Sequence, residues 1–320
     1  MRAAVIGRTR MLLDTAELLL KGGHQITLVA TCRSSERHTA KEADFERLAD
    51  TTGAGFLQAQ DLNRSDVVAQ LRGASAEVAV SVDWVNLIGP AACAAFPRGI
   101  LNAHGGDLPR YRGNSPVAWA ILNGESAIGL TIHQMDPYQV DAGPIALKEH
   151  FPLTERTRIR EVFDFIEAAV PRMYREAVDR LAQGTLTLTP QPADPGQVLR
   201  CYPRLPSDGL IEWGKSAVYL CRLVRATSEP FEGAFTHLRG DRVTVWRARA
   251  TGWSMPSLAV PGQVVSRDTV SGEVTVATGE GLLVIEEIEV SGGERPKPTE
   301  VIRSSRERLG THGSDTPGRG

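Results

Sequence analysis

Asn102 and His104 stand two residues apart in the run Ile100-Leu101-Asn102-Ala103-His104, which opens into a loop rich in glycine and proline. In an extended strand residues i and i+2 share a face, so the amide and the imidazole are expected side by side at the strand's carboxyl end. Open α/β sheets bind their ligands at that end. An Asn side chain offers N–H donors to growing negative charge. A His, with an ordinary pKa near 6.5, exchanges protons close to neutral pH. Taken alone, Asn-x-His is more often a structural histidine bonded to the next loop, so the surrounding pattern has to decide.

The elements that must position this pair follow from periodicity. Residues 3–7 read as a buried strand, and Met11-Leu12-Leu13, Ala16 and Leu18-Leu19-Leu20 recur at helical spacing before Gly22-Gly23. His24 to Thr31 is strand-like again. Strand, helix, strand implies a parallel pair with a right-handed crossover, the start of a Rossmann-like, doubly wound α/β sheet. A helix around 39–52, a strand near Gly55-Phe56, a helix near 65–72 and strands at Glu77 to Val82 and Ile100 to Asn102 continue it. Gly7-Arg8-Thr9-Arg10 lacks the further glycines that let backbone approach a pyrophosphate, so NAD binding is not expected.

Residues 155–184 carry an apolar stripe (Val162, Phe163, Ile166, Val170, Met173) that predicts a long amphipathic helix, which Pro171 should kink or divide. The expected catalytic domain covers 1–190, with an extended linker at 191–205. Arg242 to Ala248, Gly262 to Val265, Glu273 to Ala277 and Leu282 to Val290 are β-rich runs, which predicts a smaller, OB-like β domain over 206–298. The Pro-, Ser-, Arg- and Gly-rich remainder, 299–320, is expected to be disordered.

Composition bounds the function. The chain has 320 residues, 42% hydrophobic and 23% charged, and no apolar run approaches the roughly 20 residues a bilayer needs. Four scattered cysteines, Cys32, Cys93, Cys201 and Cys221, give neither a zinc spacing nor a disulfide framework, so a reducing cytoplasm and no metal are expected. Net charge is −2 with Lys and Arg dispersed, so nucleic acid is not an expected partner.

The whole pattern is specific: Asn102-Ala103-His104-Gly105-Gly106-Asp107-Leu108-Pro109-Arg110-Tyr111-Arg112-Gly113, then Pro116, Trp119, Gly124, Gly129 to His133 and Asp141-Ala142-Gly143. It resembles the signature of folate-dependent formyltransferases. Asp208 to Trp213, Arg225-Ala226-Thr227 and Pro230 to Ala234 resemble the second domain of the longer members. The resemblance implies a formyltransferase core that uses N10-formyltetrahydrofolate as co-substrate, with Asn102, His104 and Asp141 catalytic. In that role Asn102 donates to the developing oxyanion, His104 takes the amine proton, and Asp141 orients the imidazole and raises its pKa. By the same resemblance Leu87, Ile88, Asp136, Tyr138, Val140 and Gly143 hold the folate, Trp84, Arg110, Tyr111 and Arg112 face the acceptor, unless Arg110 and Arg112 are plain surface arginines, and Thr131 and His133 support the site.

Many relatives have Ser-Leu-Leu-Pro after the histidine, where this chain has Gly106-Asp107-Leu108-Pro109, so Asp107 either recognises a cationic amine or caps the loop. Methionyl-tRNA formyltransferases carry a basic loop after the second strand; here Cys32 to Asp44 mixes charges of both signs. A small amine, the amino group of a nucleotide-linked amino-deoxysugar, is the leading acceptor, and a homodimer is compatible. A hydroxyornithine-type amine and methionyl-tRNA are alternatives within the family. A formyltetrahydrofolate hydrolase and a non-catalytic folate-binding module are the readings from other classes.

Overall fold

In the computed structural model, which describes residues 1–36, 38–255 and 257–310, the chain divides into two compact units. The first comprises Met1–Pro116, Ala127–Pro152 and Phe163–Tyr202; the second takes Val117–Ser126, Leu153–Val162 and the chain from Pro203 onward.

The first unit begins with β1 (Arg2–Gly7), whose Ala3, Ala4, Val5 and Ile6 are fully buried, as a strand covered on both faces requires. Helix α1 (Arg10–Lys21) buries Leu12, Ala16 and Leu19 at helical spacing and stops where the Gly22 N–H bonds to the Leu18 and Leu19 carbonyls. It returns the chain to β2 (Gln25–Thr31), parallel to β1. Then follow α2 (Glu42–Thr52), β3 (Gly55–Gln58), α3 (Ser65–Gly73), β4 (Val78–Val82), α4 (Pro90–Cys93) and β5 (Ile100–His104).

Five strands are thus parallel, in the order β3-β2-β1-β4-β5, and β7 (Ala127–Gln134), antiparallel to β5, and β8 (Ile145–Pro152), antiparallel to β7, extend the sheet. The two-residue strand β6 (Arg112–Gly113) lies outside this sheet and pairs with β9 (Arg200–Cys201). The order reverses at β1, so the sheet is doubly wound and its carboxyl ends form the binding edge. Helix α5 (Pro116–Asn123) precedes β7, and α6 (Ile159–Gln183) follows β8.

Helix α6 runs undivided through Pro171, although a proline inside a helix costs on the order of 3 kcal/mol. Val170, Met173, Tyr174, Ala177 and Val178 are all buried in the sheet core, and that packing outweighs the lost hydrogen bond.

The second unit holds α7 (Ala217–Ala226), capped by the Ser216 hydroxyl accepting from the Tyr219 N–H, and an antiparallel sheet ordered β10-β11-β14-β13-β12. Its strands are β10 (Ala234–Leu238), β11 (Asp241–Thr251), β12 (Val264–Arg267), β13 (Val274–Ala277) and β14 (Leu282–Val290). Its β-rich character is as expected. The disorder expected from 299 is not found over 299–310, where the chain forms α8 (Pro298–Val301) and buries Ile302 and Leu309. Leu309 N–H donates to Gly262 O at 2.8 Å, and Arg267 donates to Ile302 O at 2.7 Å. Two anchored apolar side chains order a stretch whose composition reads as tail. Residues 311–320 lie outside the described residues.

Candidate active site

Strand β5 delivers Asn102 and His104 to the binding edge, and its pairing with β7 sets His133 opposite Asn102 and Thr131 opposite His104. His104 is 7% exposed, and its Nε2 lies 2.7 Å from the Tyr111 carbonyl oxygen. A carbonyl only accepts, so Nε2 carries the proton and the neutral ring keeps its lone pair on Nδ1. Tyr111 aims that carbonyl from a left-handed conformation, φ 62°, strain of the kind that collects at functional sites.

Nδ1 faces Asp141 Oδ2 at 3.6 Å, and Asp141 Oδ1 lies 3.5 Å from His133 Nε2. Asp141 also accepts the Gly113 N–H at 2.8 Å. Burial works to raise the Asp141 pKa, but the contact with His133, the charge of His104 and the Gly113 N–H outweigh it and hold the carboxyl at about 2. Burial lowers the His104 pKa, against a smaller opposing pull from Asp141. The pair at neutral pH is therefore a carboxylate beside a neutral imidazole.

Asn102 enters through His133. Its Nδ2 lies 3.1 Å from His133 Nε2, while His133 Nδ1 lies 3.0 Å from the Gln134 carbonyl. Nε2 of His133 lies between the Asn102 amide and Asp141 Oδ1, while its Nδ1 is held by the Gln134 carbonyl. Asn102, His133, Asp141 and His104 thus form one connected group.

Around it the loops are pinned. Thr131 Oγ1 donates to the Gly106 carbonyl at 2.8 Å. A Cβ on Gly106 would lie 2.6 Å from His104 Nε2 and 2.7 Å from Tyr111 O, so only glycine lets this loop close on the ring. Gln191 donates to the carbonyls of Asp141 (2.9 Å) and Gly143 (2.7 Å) and accepts from Arg112 at 2.7 Å. Sequence reading missed Gln191, which lies in the segment read as linker, and no motif marks it.

The remaining predicted positions divide. Leu87 and Tyr138 are 71% and 82% exposed, and Trp84 and Val140 are half-buried. Asp136 accepts the N–H groups of Tyr138 and Gln139, which holds the turn, and Gly143 admits no side chain because a Cβ would lie 1.8 Å from Gln134 O. Ile88, expected at the folate, is packed in the sheet core, so only its backbone is available there. Tyr111, expected at the acceptor mouth, is 2% exposed and contributes its carbonyl, not its ring. Arg110 stacks 5.3 Å from the centre of that ring. Asp107 binds Lys148 at 2.8 Å and lies 3.2 Å from His150 Nε2, so its charge is already paired with Lys148 of β8. Arg112 is turned to Gln191, where it braces the Asp141 loop. Among the described residues no group of three or more His, Cys, Asp or Glu is arranged to hold a metal ion, and no helix is long and apolar enough to cross a membrane.

Comparison with known proteins gives the same direction. The formyl transferase family model matches residues 1–178, and that of the formyl transferase C-terminal domain matches 205–306. HypX from Aquifex aeolicus in complex with tetrahydrofolic acid superposes with a TM-score of 0.60 at 16% identity, over 95% of this chain and 47% of that one. The chain spans about half the length of the HypX structures it matches. An N-formyltransferase from Helicobacter canadensis, in complex with folinic acid and dTDP-3-aminofucose, gives 0.60 at 13% identity, over 89% of this chain and 98% of that one. Glycinamide ribonucleotide transformylase 1 from Symbiobacterium toebii gives 0.50 at 21% identity, over 60% and 93%. At these identities the structures show a shared fold. With a family model matching more than half of its length, the chain belongs to the formyl transferase family.

Proposed function

We propose that this enzyme moves a formyl group from N10-formyltetrahydrofolate to the amino group of a nucleotide-linked amino-deoxysugar, with Asn102, His104 and Asp141 as its catalytic residues. The observation that carries the reading is the state of His104, with Nε2 committed to the Tyr111 carbonyl and Nδ1 beside an ionised Asp141. A base in that state takes a proton and is stabilised as it does so.

The folate supplies the formyl carbon. As the amine adds to it, the formyl oxygen gains negative charge and the amine nitrogen becomes acidic. Asn102, whose amide lies 3.1 Å from His133 Nε2, gives an N–H to that oxygen. His104 Nδ1 accepts the amine proton, Asp141 stabilises the imidazolium across 3.6 Å, and the same proton is then returned to the departing nitrogen. Leu87 and Tyr138 fit the donor because each presents an uncovered apolar surface, and Asp136 and Gly143 fix the loop that carries Tyr138.

Two observations favour the aminosugar. The Helicobacter canadensis enzyme, whose complex contains dTDP-3-aminofucose, is matched along 98% of its length. The segment after β2, Cys32 to Asp44, mixes charges of both signs, where binding a tRNA acceptor arm calls for a surplus of cations.

The test is consumption of 10-formyltetrahydrofolate, followed by folate absorbance, with aminosugar nucleotides, hydroxyornithine and methionyl-tRNA in turn. Turnover confined to an aminosugar nucleotide supports the reading. Turnover with methionyl-tRNA alone overturns the acceptor, and formate release without any acceptor makes the enzyme a hydrolase.

A further inference from the structure

Although the chain carries a formal net charge of −2, its second unit gathers six arginines and two glutamates around one cavity of about 530 Å³. Three segments distant in sequence supply them. Arg156 and Arg158 come from the stretch before α6, Arg222 and Arg225 from α7, and Arg247 and Arg249 from β11. The volume is in the range of small-molecule sites.

The cations are not balanced from within. Arg249 is matched by Glu273 (2.7 Å) and Glu286 (3.3 Å). Arg158 and Arg225 are held by backbone carbonyls: Arg158 donates to Trp246 O at 3.0 Å, and Arg225 to Thr154 O at 2.8 Å and Thr157 O at 3.0 Å. Those bonds fix guanidinium positions without neutralising them. Arg156, Arg222 and Arg247 form no ion pair among the described residues. Arg225 also keeps a buried Nε with no hydrogen-bond partner. Like charges brought together around a concave surface repel one another unless an anion lies among them.

We propose that this cavity binds a small phosphorylated ligand through its diphosphate group. A planar guanidinium fork matches phosphate oxygens bidentately, and a pyrophosphate brings several negative charges where a carboxylate brings one. Half-buried Arg158, Arg222 and Arg225 form the fixed part of the site, and the exposed Arg156 and Arg247 complete it. This site is independent of the formyl-transfer assignment, since none of its residues belongs to the Asn102, His104, Asp141 group.

Calorimetric titration of the full chain with inorganic pyrophosphate, and with a nucleoside diphosphate, tests it. Saturable one-to-one binding is expected, weakened about tenfold or more by Arg247→Glu and again by Arg222→Gln, two arginines without an ion pair to lose. Arg247 is exposed, so its variant reads binding rather than folding; equal melting temperatures check this. Kd is expected to rise steeply with salt. Binding indifferent to both substitutions overturns the proposal, as does no heat at millimolar pyrophosphate. Binding of RNA oligonucleotides with no response to pyrophosphate or nucleoside diphosphate also overturns it and makes the surface a nucleic-acid patch. Because pyrophosphate binding is measured without turnover, failure here leaves formyl transfer untouched.

Discussion

His104 sits between two opposing influences, burial that lowers its proton affinity and Asp141 that partly restores it. Two consequences are measurable. The acid limb of kcat/KM is expected below the ordinary imidazole value of about 6.5. Asp141→Asn removes the pull that raises the His104 pKa, so the limb moves to still lower pH while the rate drops. A limb that moves upward in this variant contradicts the assignment. For stability the sign follows from Asp141 itself: its folded pKa of about 2 lies below the ordinary 3.8, so its contribution is present above pH 3.8 and is lost as pH falls toward 2. That contribution is about 2 kcal/mol. Urea unfolding of wild type across this window, beside a flatter Asp141→Asn profile, checks it. Gly106→Ala is expected to abolish most activity while leaving the circular-dichroism spectrum intact, because its Cβ would part His104 from the Tyr111 carbonyl. At this scale the sequence named Asn102, His104 and Asp141, because they lie in one dense motif. It placed Tyr111 in the loop at the acceptor mouth, since nothing in a residue's type tells that its carbonyl will bond His104.

At the scale of elements, β5, β7 and α6 hold the group together. Tyr174 of α6 is fully buried and its hydroxyl donates to the Ser81 carbonyl on β4, with Leu101 O of β5 at 3.4 Å. Tyr174→Phe leaves those carbonyls short of a donor and is expected to lower unfolding free energy by about 1–3 kcal/mol, read from the urea midpoint at constant slope. The parallel strands and α1 were legible because fully buried strands read as apolar runs and a half-buried helix reads as a stripe. The facing of Asn102 and His133 was not, because register between two strands is set by the pleat and the loop between them and leaves no mark within either strand. The same limit hid the continuity of α6, where packing on the sheet overrides what Pro171 does in an isolated helix.

Across the whole molecule, the candidate site draws on β5, β7, the 136–143 loop and Gln191, and only the motif from 100 to 143 announced itself. Gln191 and the Lys148 and His150 that occupy Asp107 are set by tertiary placement. The arginine cavity was likewise invisible, since its cations are dispersed along the chain and meet only after folding. Order over 299–310 rests on Ile302 and Leu309 finding the second unit's core, against a composition that favours tail.

The most direct test of the central claim is turnover of 10-formyltetrahydrofolate with an aminosugar nucleotide by wild type, Asn102→Ala and His104→Ala. The account predicts a loss of about 100–1,000-fold in kcat for Asn102→Ala, the usual effect of removing one preorganised oxyanion donor, and a comparable or larger loss for His104→Ala. Variants that keep near-wild-type kcat would show that the chemistry is carried by other groups.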